Sequence, residues 1–223
     1  MKLNVFPNFD ELASQCLELL RQTFPKLGTH DGIMLAGGKT PLEIYRRAAA
    51  ENLSTAGKLF LSDERYVPFT DPQSNYRSIA PFFPTLGRVP TELPIEAAAQ
   101  AFCEYLSRMQ SVPLGLLGLG ADGHTASLFT LQDAAFRNGR LAVPVIKTEK
   151  PDRISVTPVL LRRIEKIIIL ATGEEKKAII QTLLENSETI PAGAALAGHP
   201  NVEVWTDNRG QALTFAKFAK VKA

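Results

Sequence analysis

The chain has little of what cross-links a protein or clasps a metal. It carries two cysteines and three histidines in 223 residues. Cys16 and Cys103 lie far apart inside expected helices and show no metal-ligand spacing, so they read as free core thiols in a reducing compartment, which points to the cytoplasm. Charge of one sign is also missing: 25 basic against 23 acidic side chains give a formal +2, too balanced to argue for nucleic acid or a membrane surface as a partner. No apolar run approaches the ~18 residues that span a bilayer. The first stretch, MKLNVFPNFDELASQ, soon turns acidic and amphipathic, unlike a signal peptide. There is no HExxH, no GxGxxG opening a helix and no clustered Cys/His set, so no metal and no redox cofactor is expected. Repeats, low-complexity tracts and linker-like shifts are absent as well, and residues 1–223 read as a single domain with enough chain for a real core.

What is present is an alternation of short apolar runs with helical patterns. KLNVF, GIMLA, KLFLS, LGLLGLG, KIIILATG and VEVWTD read as strands, with LAVPVIK and DRISVTP as further candidates. Between them, FDELASQCLELLRQTF, residues 40–50, EAAAQAFCEYLSRMQ and residues 174–185 carry helical spacing, and the final GQALTFAKFAK reads as a helix. Apolar strands alternating with helices predict an α/β fold with a parallel sheet covered on both faces. Such sheets bind ligands beyond the carboxyl ends of their strands, near a switch in strand order. The sequence meets that rule four times, because GGKT, SDER, GADGH and TGEEK each come directly after an apolar run.

The first of these, in LAGGKTP, spells the end of a P-loop but lacks its opening glycine: the pattern needs one five places before Gly38, where Ile33 stands. The remaining reading is a strand over residues 33–36, a tight turn at Gly37 and Gly38, and a helix with Thr40 as N-cap and Pro41 at its first position. Such a start presents free N–H groups and a positive dipole end to an anion, although a plain structural turn has the same outline. In GADGH, Gly123 permits a sharp bend that turns Asp122 and His124 toward one pocket, and a histidine beside a carboxylate is the usual general base near neutral pH. His30 and His199 sit in unremarkable loops. In SDER, Asp63 could bind sugar hydroxyls and Arg65 could clamp an anion or a developing oxyanion; a solvated charged turn is the plainer alternative. Arg153 begins an expected strand. Lys176, with Lys177 adjacent to it, lies in the first turn of a helix, where a lysine opposes the dipole unless an anion is bound.

Taken in order, LAGGKTP, SDERYVP, SNYR, GLGADGHTASLF, DRISVT and TGEEK resemble the 6-phosphogluconolactonases, within the larger group that includes the glucosamine-6-phosphate deaminases. The most specific parts are DGHTASLF and DER. The resemblance implies a Rossmann-like three-layer α/β/α fold with a mostly parallel sheet, of the sugar-phosphate isomerase/deaminase kind. It implies hydrolysis of 6-phospho-D-glucono-1,5-lactone to 6-phosphogluconate in the pentose phosphate pathway, with a small sugar phosphate as partner and no metal or organic cofactor. A monomer is compatible with it. By the same resemblance His124 takes the proton of the attacking water and Asp122 orients it, while Arg65 stabilises the lactone carbonyl oxygen. Gly37, Gly38 and Thr40 form the phosphate cradle with Arg153 and Lys176.

The chain departs from the family pattern at three places. Ala36 stands where serine is frequent, Lys39 stands at another position where serine is common, and Thr130 comes after SLF where proline is usual. Lys39 either adds a charge to the cradle or points to solvent. The deaminase alternative is testable on the same stretch. Deaminases resemble DGHIAFNE, with a glutamate five residues after the histidine, where this chain has Phe129, and they tend to carry DEY rather than DER. Phe129 is expected to pack against the core behind the His124 turn. A non-catalytic sugar-phosphate sensor is a third reading, but such regulators usually carry a DNA-binding domain and a basic surface.

Overall fold

The computed structural model describes residues 1–135, 139–208 and 219–221. The described residues form ten strands: β1 Lys2–Val5, β2 Asp31–Leu35, β3 Lys58–Leu61, β4 Asp63–Arg65, β5 Ser111–Gly118, β6 Ala142–Val145, β7 Arg153–Val156, β8 Ile167–Leu170, β9 Val202–Thr206 and β10 Ala219–Val221. The α-helices are α1 Phe9–Thr23, α2 Lys39–Ala50, α3 Asn75–Ile79, α4 Ile95–Ser107, α5 Leu131–Ala134, α6 Pro158–Leu161, α7 Lys177–Glu185 and α8 Pro191–Ala195. Seven strands make one sheet in the order β10-β1-β9-β8-β5-β2-β3, and every neighbouring pair in it is parallel.

Alternation along the strands shows why both faces are covered. Ile33 and Leu35 of β2, Leu114 and Leu116 of β5, and Ile168 and Leu170 of β8 join one apolar cluster with Leu12, Cys16 and Leu20 of α1 and Ile44 and Tyr45 of α2. Met34, Leu117, Ile167 and Ile169, their neighbours along the chain, join a second cluster with Phe102 and Leu106 of α4 and Ile180 and Leu183 of α7. Successive side chains point to opposite faces, so a strand that is apolar throughout needs helices on both sides. The result is the expected three-layer α/β/α arrangement. Cys16 lies in the first cluster, where burial pushes its thiol up to about 12, and both cysteines are free.

Three β-strands stand apart in an antiparallel sheet of order β4-β7-β6, built from the charged end of one expected strand and from the two further candidates. Ser62 is the joint. Its N–H donates to the Leu35 carbonyl at 2.8 Å, continuing the parallel sheet, and its carbonyl accepts from the Val156 N–H at 2.9 Å, opening the small one.

Other expectations need correction. Thr40 is not the N-cap: the helix opens at Lys39 with Gly38 capping at φ 105°, a conformation that side chains disfavour. The Thr40 hydroxyl instead meets that of Thr172 at 2.6 Å. Residues 174–185 are not one α-helix, since Glu174–Lys176 form a 3-10 turn ahead of α7. The expected C-terminal helix at 210–220 lies outside the described residues, apart from Ala219 and Lys220, which pair with β1 as a strand.

Candidate active site

The order of the main sheet places the site. From β2 the chain steps outward to β3, and it then returns to the other side of β2 to build β5, β8 and β9 in turn. The reversal falls between β2 and β5, where a crevice opens beyond the carboxyl ends of the strands. A cleft of about 640 Å³ lies there, and the ends of β2, β3, β5 and β8 all contribute to it. Gly37, Gly38, Lys39 and Thr40 come from the first turn, Asp63 and Arg65 from β4, His124 from the turn after β5, and Lys176 from the turn after β8.

The turn after β5 does not enter a helix. The Gly120 N–H donates to the His124 carbonyl at 2.8 Å and the Gly123 N–H donates to the Gly120 carbonyl at 3.1 Å, folding the chain back on itself. A side chain at position 120 would overlap the His124 ring and the Asp122 carboxylate, so glycine is needed for the pair to form. His124 Nδ1 stands 2.5 Å from Asp122 Oδ1. Burial raises the Asp122 pKa, but the hydrogen bonds from the His124 ring and backbone outweigh it and leave the carboxyl below its ordinary value. An ionised carboxylate can only accept, so a neutral ring in this contact carries its proton on Nδ1 and leaves Nε2 as the acceptor. The His124 side chain is 30% exposed and that of Asp122 62% exposed.

Past His124 the backbone is anchored at successive residues. Thr125 donates from its hydroxyl to the Gly118 carbonyl at 2.8 Å, and the Ser127 N–H donates to Ser155 Oγ at 3.1 Å. Ala126, between them, is held at φ 49°, a left-handed conformation unusual for a residue with a side chain. The Asp63 carboxylate is buried and takes the Ser62 hydroxyl at 2.8 Å on one oxygen and the Ser127 hydroxyl at 2.6 Å on the other. Asp63 thus ties β4 to the histidine turn, a use its expected role toward sugar hydroxyls did not foresee.

Arg65 donates to the Gln73 carbonyl at 2.5 Å, which fixes its guanidinium at the cleft wall. Beneath it the Glu64 carboxylate, 2% exposed, accepts the N–H groups of Arg65, Asn75 and Tyr76 at 2.7–2.8 Å and the Ser74 hydroxyl at 3.1 Å. Burial raises its pKa against the opposing pull of those donors. Arg153 is not among the residues lining the cleft. It stands directly across the β4/β7 pair from Arg65 and donates to the carbonyls of Pro151 and Asp152. Burial first, then the Arg65 charge, lowers the Arg153 pKa.

The cleft also holds residues beyond the expected ones. Asn75 donates to the Asp63 carbonyl at 2.9 Å, and Asp207 accepts the Gly173 N–H at 2.9 Å. Asp207 comes directly after β9 and obeys the same polar-after-strand rule as the four stretches singled out, so the signal was there. Glu175, also at the wall, belongs to TGEEK and carries the same signal, whereas Phe9 lines the wall without one. Phe129 lies elsewhere than expected: it is half-buried, with its ring centroid 4.7 Å from the His124 ring, rather than part of the core.

Known proteins share this chain's sequence and fold. A 6-phosphogluconolactonase from Thermotoga maritima is 32% identical over 78% of this chain and 82% of its own length. The crystal structure of 6-phosphogluconolactonase from the same organism superposes with a TM-score of 0.76 at 27% identity, covering 92% of this chain and 96% of that one. A monomeric glucosamine-6-phosphate deaminase shares the fold, with a TM-score of 0.79 at 21% identity over 96% and 100% of the two chains, so fold by itself does not separate the two activities. The sequence profile described as glucosamine-6-phosphate isomerases/6-phosphogluconolactonase matches residues 8–205, and the chain belongs to that family.

Proposed function

We infer that the protein hydrolyses 6-phospho-D-glucono-1,5-lactone to 6-phosphogluconate, the lactonase step of the oxidative pentose phosphate pathway, as its named relatives do. The observation that carries the chemistry is the Asp122–His124 contact, which leaves Nε2 open in a cleft whose other wall is an anion-binding turn. In this reading water lies between Nε2 and the lactone C1. His124 takes a proton as the water oxygen bonds to C1, and the carbonyl electrons move onto oxygen. Arg65 stabilises the resulting oxyanion. When the tetrahedral centre collapses, the bond from C1 to the ring oxygen breaks, and the imidazolium returns its proton to that oxygen as the C5 hydroxyl. The new carboxylic acid then ionises to solvent.

The phosphate end rests on the backbone of Gly37 and Gly38, on Thr40, and on Lys39 and Lys176, residues that all line the cleft. In this reading Lys39 adds a charge to the cradle. Arg153 contributes from farther back. Its position opposite Arg65 puts like charges in one cross-strand pair, which is unfavourable until an anion lies nearby. To touch that anion it would leave the Pro151 and Asp152 carbonyls.

Position 129 favours hydrolysis over deamination, because a phenylalanine beside the histidine cannot carry the second proton that opening an amino sugar requires. Freshly generated 6-phosphogluconolactone and glucosamine 6-phosphate, assayed side by side with the spontaneous rate subtracted, test the reading. Lactone hydrolysis and no ammonia above background are expected between about pH 6 and 9, around the range where a histidine base works. Ammonia release from glucosamine 6-phosphate would overturn it.

A further inference from the structure

The His124 imidazole has a second neighbour besides Asp122, and that neighbour is itself held. The Phe129 ring lies tilted at 49° to the imidazole with centroids 4.7 Å apart. The Lys147 ammonium stands 3.5 Å from the centre of the same phenyl ring. Its placement is selective. The nearby Asp152 carboxylate accepts the Lys147 backbone N–H at 2.9 Å, but it takes its ammonium partner from Lys150, at 2.7 Å on both oxygens. Lys147 places its charge on the aromatic ring. The phenylalanine backbone is pinned independently, since the Phe129 and Thr130 N–H groups both donate to Asp133 Oδ2, at 3.1 and 2.9 Å, in the capping box that starts α5.

One hydrogen bond to a carboxylate as exposed as Asp122 leaves the imidazole free to swing about that bond, and a base must hold its nitrogen within a fraction of an ångström of the water it activates. We propose that Lys147 is a positioning residue for His124: its ammonium clamps the Phe129 ring in place, and that ring with the Asp122 carboxylate sets the plane of the imidazole. The proposal rests on the lactonase reading for its kinetic consequence but not for its geometry.

The test combines kinetics with a readout that needs no turnover. Lys147→Met keeps the length of the stem and removes the charge, Lys147→Arg keeps a cation, and Phe129→Leu keeps apolar volume without the π face. Lys147→Met is expected to lower kcat on the phosphorylated lactone by about three- to tenfold, the scale of one cation–π contact, with KM changed less than about twofold. Lys147→Arg should recover most of the loss. Phe129→Leu should lose at least as much, and adding Lys147→Met to it should cost little more, because the two act through one contact. In proton NMR of the unliganded protein, the ring-current shift of the His124 protons should vanish in Phe129→Leu and shrink in Lys147→Met. Full kcat in Lys147→Met with unmoved His124 resonances would overturn the proposal, as would a loss that arginine does not recover or full additivity of the two changes. If the unaltered protein fails to hydrolyse the lactone, the functional reading fails, and the resonances judge the clamp separately.

Discussion

The turns after β2 and β5 begin alike and end differently. The two strands are neighbours in one parallel sheet, and each runs out into glycine at the same crevice. After β2 the chain enters a helix at once, with Gly38 as cap, and offers backbone N–H groups and a dipole. After β5 it doubles back through 120–124 with no helix, and offers two side chains locked to each other. In the proposed reading, one place on a fold thus yields a binding surface or a reactive group, depending on whether the glycine leads into a helix or into a reversal. A helix start is suited to hold an anion because its donors are fixed in number and direction. A folded-back turn is suited to chemistry because it can bring residues two apart into contact.

The sharpest way to break this division is to remove the reactive side. His124→Ala should lose about 10²–10⁴-fold in kcat, the usual share of general-base catalysis, and leave the affinity for 6-phosphogluconate nearly unchanged by calorimetry. Asp122→Asn should lower kcat too, through the wrong imidazole tautomer. It should also change the acid dependence of stability. The folded-state pKa of Asp122 is lowered, so its contribution is present above the unfolded pKa and is lost as pH falls through the folded one. Acid unfolding of the asparagine variant should lack that component.

The binding side should fail in KM instead. Lys176→Ala should raise KM for the phosphorylated lactone by about 1.5–3 kcal/mol, and unphosphorylated gluconolactone should hardly notice. Arg153→Ala should show a smaller rise, because its guanidinium is already engaged by two carbonyls. Equal losses on both lactones would erase the distinction between the turns. The smallest effect concerns the strain in the folded-back turn: Ala126→Gly should raise unfolding stability by about 1 kcal/mol in urea titration, through relief of the left-handed backbone.

The fold and the site differ in how far they are legible in the sequence, because their signals reside in different places. The parallel strands are readable because they are buried on both faces, so each is a short apolar run such as KIIIL that ends in glycine or a polar residue. The polar-after-strand rule then finds His124, Arg65 and Lys176 without knowledge of the fold. The antiparallel sheet is not legible as a sheet. It pairs Asp63–Arg65 with Arg153–Val156 far along the chain, and charged residues opposite one another carry no local pattern. The N-cap expected at Thr40 is misplaced because good capping chemistry outranks glycine geometry in a sequence reading. Phe129 goes to the core on hydrophobicity alone, and its contacts with a histidine and a lysine are visible only in three dimensions. Those contacts also bear on what position 129 can hold. Glutamate at position 129 would stand half-exposed near Lys147 rather than unpaired in the core, so Phe129→Glu should cost little stability, and thermal unfolding can check it.

The place of β1 between β9 and β10 bears on how the chain is made. Lys2 of β1 and its partner Glu203 of β9 are 201 residues apart. A ribosome adding about 5–20 residues per second therefore takes roughly 10–40 s to supply the first strand's neighbour. Through that interval Leu3 and Val5, both buried in the finished sheet, have no strand to lie against, although β2, β3 and β5 can already assemble. β1 is thus made well before its partner β9, and its apolar side chains are covered only late in synthesis.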